Sequence, residues 1–317
     1  MILPGPSEDG TSGSTVRSPA LTAGLVAGGV LVALLVALLG VGIAARGTGE
    51  LGIPGAGVTT ALRVVVFAAL ALHLGELSGH RLARTDPVPR SWAVAAALAG
   101  ATASAGQIGL LAFVSGLKIT AVYGTVDGRL LLVMANGFLV AAWCAATSRP
   151  ISAVAPLAVV VGAEALRAHP EQYTPLLGAA LTVVHLTAAS LWTGSLLYIV
   201  RTMWLRRDDP AAARDVLTRY ARIAGWLFVA LAATGTVSAL RRLPADVVLT
   251  TAYGRVLIAK LILIALVSGL ALTARRRLRR GGDMVTPVRR ELAALAVVVL
   301  LSAVLTVVPD PHWISTR

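Results

Sequence analysis

Over 317 residues the chain is 56% hydrophobic and only 14% charged, with a mean hydropathy of +0.80, whereas an ordinary soluble domain carries about a quarter charged residues. That balance excludes such a domain and predicts a polytopic membrane protein. The net charge of +13 does not indicate nucleic acid, because the basic residues sit in short loops between apolar runs, where they orient the chain and meet anionic lipid.

Residues 1–19 are polar and rich in Gly, Ser and Pro, which predicts a disordered tail. They lack the basic start of a signal peptide, and the apolar run over 20–45 exceeds a signal peptide's core, so it reads as a retained first span. Further spans are expected at 57–79, 91–116, 129–147, 151–168, 175–200, 223–240, 252–274 and 291–308, each near the ~20 residues a tilted helix needs. The expected fold is therefore an all-α bundle of about nine spans. Eight are possible if Pro156 and Glu164 break the fifth. Five spans fall in an N-terminal half, 20–174, and four in a C-terminal half, 175–317.

Basic residues orient this bundle. One side carries Arg17, Arg81, Arg84, Arg90, Arg149, the six arginines between Arg201 and Arg222, and the run from Arg275 to Arg290. The other side holds far fewer, among them Arg46, Lys118, Arg129, Arg167 and Arg255. This predicts a cytoplasmic N-terminus and places the loops at 118–128, 169–173 and 242–252, with the tail 309–317, outside. The arginine-rich linker 203–225, headed by Trp204, reads as an interfacial amphipathic helix on the cytoplasmic face.

Ionisable residues inside spans are functional candidates. His73, Glu76 and His80 recur at spacings of three and four in the second span, on one helical stripe. Imidazole and carboxylate there suit a metal ion or a proton relay. His80 and Glu76 are also close enough to the boundary to be solvated or paired. Gln107, Asn136, Glu164 and Lys260 are candidates for an interior polar path, or for interhelical hydrogen bonding alone. Lys260, near the middle of its span, is expected either to snorkel outward or to pair, with Glu164 at matched depth as the expected partner.

The stretch 181–198, LTVVHLTAASLWTGSLLY, stands out. His185 and Trp192 are seven apart, so they share a helical face, with Ala188 and Ala189 between them leaving room for a neighbouring helix. An intramembrane histidine faces protein, a cofactor or an ion path; Trp192 alone would be ordinary packing. Cys144 is the one cysteine and lies in an apolar run, so no intrachain disulfide and no Cys-cluster metal site can form.

Three segments in order, His185-LTAASL-Trp192-Thr-Gly194, then Arg219-Tyr-Ala-Arg222-Ile-Ala with Thr234-Gly235, then Tyr253-Gly254-Arg255-Val-Leu257-Ile-Ala-Lys260, resemble the copper resistance D (CopD) family of bacterial inner-membrane proteins over about 181–310. The resemblance implies an all-helical protein of the cytoplasmic (inner) membrane that imports or handles copper, often beside a periplasmic copper-binding protein of the CopC type. It also marks Tyr253 and Arg255 as a family motif, here expected to anchor a helix at the outer interface. Only Met1, Met134, Met203, Met284 and Cys144 offer the soft sulfur that Cu(I) favours. A copper site must therefore rely on imidazole: His185, then His73 with Glu76, with His169 and the outer loops as access contacts. His312 in the tail is a weaker candidate, expected to be solvated.

Three functions fit. The first is a copper transporter using intramembrane histidines. The second is a haem or redox protein with His73 and His185 as axial ligands; their expected depths, about 24 Å and 15 Å at ~1.5 Å per residue, disfavour it mildly. The third is an accessory subunit whose histidines only join helices. The loops carry no nucleotide-binding motif, hydrolase triad or paired-carboxylate site, so the chain is not expected to be an enzyme or an ATP-driven pump.

Overall fold

A computed structural model describes residues 19–83, 88–168, 174–206, 209–243, 245–279, 297–298 and 300–308. The described residues are helical and joined by short loops: α1 (Pro19–Ala45), α2 (Ala56–Ala83), α3 (Ala93–Ser115), a one-turn α4 (Ile119–Val122), α5 (Val126–Ala146), α6 (Val154–Arg167), α7 (Pro175–Leu205), α8 (Pro210–Arg242) and α9 (Ala252–Arg279). Among the described residues, eight helices are long and apolar enough to cross a membrane, one for each of the first eight expected spans. The ninth falls partly outside the described residues, although 300–305 are helical. The tail 1–18, His169, His312 and most of the run from Arg275 to Arg290 also lie outside them.

The fifth span survives its proline for a local reason. A 3-10 turn, Pro150–Ala153, leads into α6, so Pro156 occupies the first turn, where its missing N–H has no intrahelical carbonyl to meet. Elsewhere the sequence expectation is corrected. Residues 203–225 do not form a separate interfacial helix: α7 runs on to Leu205 and α8 starts at Pro210, with Asp209 accepting a hydrogen bond from the Ala212 N–H at 3.0 Å. Proline at the first helical position and aspartate before it are strong start signals. Val216, Leu217 and Tyr220 then pack on Ile199 and Met203 instead of lying on lipid.

Small residues decide how closely the helices approach. α2 and α7 run parallel, as their pairings at Gly75–Gly194, Ser78–Ser195 and Gly79–Tyr198 advance together. A Cβ added at Gly194 would lie 1.7 Å from the Ala71 carbonyl oxygen, so the backbones touch, as membrane helices do when van der Waals packing substitutes for a hydrophobic drive. The two serine hydroxyls meet at 2.7 Å across this crossing. Around it, α2, α3, α5 and α6 enclose one core with Leu70, Leu131, Met134, Phe138 and Val160 at its centre. The ends of α7, α8 and α9 enclose a second core around Trp192, Leu196 and Ile199.

Candidate functional site

The α7–α8 face carries the residues that the sequence singles out. His185 Nδ1 lies 2.9 Å from Thr234 Oγ1 on α8, and its Cε1 atom lies 3.4 Å from where a Cβ on Gly235 would be. Thr234 Oγ1 also sits 2.7 Å from the Ala230 carbonyl. Its hydroxyl hydrogen is therefore donated within α8, and the oxygen is left to accept from His185 Nδ1–H. That assigns the proton to Nδ1 and leaves the lone pair on Nε2, the way a partner to one ring nitrogen readies the other for a ligand. Gly235 supplies the space, because a side chain there would press on the ring.

Trp192 shares that face, as its spacing predicts. Its ring meets Phe228 of α8 edge-on at 5.8 Å, its carbonyl accepts from the Tyr220 hydroxyl at 3.4 Å, and its buried indole Nε1 has no hydrogen-bond partner.

Of the other candidates, Lys260 of α9 lies close enough to His185 for its charge to act on the ring, and the rest do not join it. Glu76 is taken by Arg201 of α7, Nη1 to Oε1 at 2.6 Å, and it also accepts from the Trp92 N–H at 3.1 Å, at the start of α3. The Arg201 guanidinium lies 3.8 Å above the Trp92 ring. Glu76 thus braces three helix ends. His80 is exposed at the end of α2. His73 is fully buried and neither ring nitrogen has a partner. Since Ser78 meets Ser195 on the parallel α7, His73 is level with about residue 190, roughly 8 Å along the axis from His185 at 1.5 Å per residue. That offset disfavours the two rings as axial ligands of one haem iron. Among the described residues no group of three His, Cys, Asp or Glu side chains could hold a metal ion.

The expected polar path is divided. Gln107 is buried with both amide atoms unpartnered. Asn136 faces outward and donates to the Leu132 carbonyl of its own helix at 2.8 Å, so it is no part of an interior path. Glu164 does not serve Lys260. It is paired with Arg167 at 2.8 Å and with Arg63 of α2 at 3.8 Å, and Arg63 also donates to the Thr306 carbonyl at 2.7 Å. Lys260 is half-buried on α9. Tyr253, at the start of α9, is buried against Val41 and Val304. Arg255 donates to the carbonyls of Ala44 and Arg46 and so ties the start of α9 to the end of α1. Gly254 sits between them because a Cβ there would lie 1.8 Å from the Val248 oxygen.

Sequence reasoning missed Thr234 as the partner of His185, although it stands in the Thr234-Gly235 pair. It also missed Arg63, a single charge inside an apolar run and hence visible in the sequence.

Long apolar helices, buried ion pairs and a histidine inside the bundle define the class: an all-helical, multi-pass membrane protein. Residues 214–308 match the family model of CopD, described as copper resistance protein D. This stretch of the chain is thus similar to that family in the region where the sequence resemblance lies. No curated protein and no solved structure matches the chain. The matched residues include Thr234, Gly235, Tyr253, Arg255 and Lys260, while His185 and Trp192 precede them.

Proposed function

We propose that this protein moves copper ions inward across the membrane, without enzymatic chemistry of its own, and that His185 contacts the ion on its way. One observation carries the reading: the 2.9 Å contact from His185 Nδ1 to Thr234 Oγ1, of which Thr234 lies inside the family match and His185 precedes it, and which turns Nε2 into a lone-pair donor within a transmembrane helix. Imidazole suits copper in either oxidation state. The available sulfur is committed to packing, since Cys144, Met134 and Met203 are all buried in the helix cores. His73, also buried and unpartnered, is a second contact deeper along the path. No nucleotide-binding loop supports active pumping, so the copper gradient drives movement, with a periplasmic copper-binding protein of the CopC type as donor.

The test is copper accumulation in cells expressing equal amounts of folded protein. Wild type raises cell copper, and His185→Ala returns it to the level of cells without the protein. Thr234→Val keeps the ring but loses the orienting oxygen, and lowers uptake by about tenfold, the lower end of what removing such a partner costs a metal ligand. Wild-type uptake by folded His185→Ala would overturn the reading. A Soret band from purified protein would replace it with the haem alternative.

A further inference from the structure

A cavity of about 380 Å³ opens at the end of the bundle where residues 46–55 connect α1 to α2. The charge asymmetry of the loops places this end outside. Its walls are apolar along Leu38, Val41 and Ala45 of α1 and Val58 of α2, and its polar residue is Glu50. From Ala45 down to Leu38 it extends about 10 Å along α1, at 1.5 Å per residue. Leu38 and Val58 are also exposed on the outer surface of the bundle, so the cavity is continuous with the space that lipid fills.

The polar end is built. Glu50 Oε1 accepts the Ala252 N–H at 3.1 Å, at the first residue of α9. The Glu50 N–H in turn donates to Thr48 Oγ1 at 3.3 Å, and that hydroxyl donates to the Ala45 carbonyl at 2.8 Å. The carboxylate is held in place, yet its second oxygen, Oε2, is buried with no hydrogen-bond partner. A buried carboxylate oxygen left unpaired is costly and calls for a donor, best a charged one. A hard metal ion is a poor occupant, because it needs six or more oxygen ligands and one free oxygen is on offer. At the same end, Arg255 is held on the carbonyls of Ala44 and Arg46, next to Ala45 in the cavity wall, and supplies positive charge.

We propose that this cavity binds a phospholipid with a primary-amine headgroup of the ethanolamine type. The Glu50 carboxylate turns toward the cavity so that Oε2 accepts from the ammonium, the phosphate lies toward Arg255, and an acyl chain runs along Leu38 and Val41. A choline headgroup has no N–H to donate, so the site discriminates between the two lipids.

The test uses the full chain in detergent, supplied with phosphatidylethanolamine or phosphatidylcholine, with bound lipid counted by native mass spectrometry. Wild type retains one ethanolamine lipid with about tenfold preference, the size of one charge-assisted hydrogen bond. Glu50→Gln keeps an oxygen for the Ala252 N–H but loses the charge, so its preference disappears while its thermal midpoint in choline lipid matches wild type. Equal retention of the two lipids by wild type overturns the proposal, as does an undiminished preference in Glu50→Gln. Displacement of the lipid by free ethanolamine at equal concentration overturns it too, since the amine alone would then be the ligand.

Discussion

Gly194→Ala is expected to abolish the folded protein. The added methyl carbon would lie 1.7 Å from the Ala71 carbonyl oxygen, 2.7 Å from its carbon and 2.9 Å from the Gly75 Cα. All three are backbone atoms, so no side chain can rotate aside and the helices must separate. Separation loses the Ser78–Ser195 contact and exposes the α2–α7 seam, in a solvent that provides no hydrophobic drive to restore it. The cost should reach or exceed ~3 kcal/mol, the upper part of the usual overpacking range. Size-exclusion profiles and thermal midpoints in detergent check this, with Gly109→Ala as the matched control. Nothing lies within 4 Å of a Cβ at Gly109, so there alanine should be neutral or slightly stabilising. A wild-type midpoint for Gly194→Ala would show that the crossing is looser than this geometry.

The second large effect lies at Glu164. Its side chain is 2% exposed between Arg63, 9% exposed, and Arg167, 7% exposed. Glu164→Leu fits the volume but leaves two buried guanidinium groups without their shared anion. Breaking a buried pair from one side costs about 3–5 kcal/mol, although the intact pair itself adds little net stability. Arg167 retains Asp127 at 3.8 Å, so the deficit falls mainly on Arg63. The double variant Arg63→Met with Glu164→Leu should therefore be more stable than Glu164→Leu alone, even though it gives up the bond to the Thr306 carbonyl. Thermal unfolding of the three proteins decides the matter. Additive losses would mean that the two groups are solvated and not coupled.

Some of the site was legible in the sequence and some was not, and the difference is physical. The seven-residue spacing of His185 and Trp192 is a property of one helix, so their common face could be read from the chain. The fate of Glu76 could not, because Arg201 lies 125 residues away. Matched depth pairs Lys260 with Glu164, yet depth does not say which groups meet; α6 packs on α5 and α7, and the long side chain of Arg63 on α2 reaches Glu164. The sequence reads Asn136 as interior for a related reason. In a membrane bundle the lipid-facing and interior surfaces are both apolar, so hydropathy does not distinguish the faces as it does for a helix at a water boundary. Asn136 satisfies its amide on its own helix and faces outward.

The sequence by itself determined where the chain crosses the membrane. Backbone groups in hydrocarbon must be satisfied within their own segment, so a long apolar run has no alternative to a helix, and its length sets the span. The tertiary structure alone decided which polar groups meet: His185 with Thr234, Glu76 with Arg201, Glu164 with Arg63 and Arg167, and Glu50 with the first turn of α9. Those pairings depend on which helices are adjacent and in what register. Adjacency and register are set by backbone contact at small residues such as Gly57 against Leu38 and Gly75 against Gly194, whose space becomes visible only when two helices are placed together.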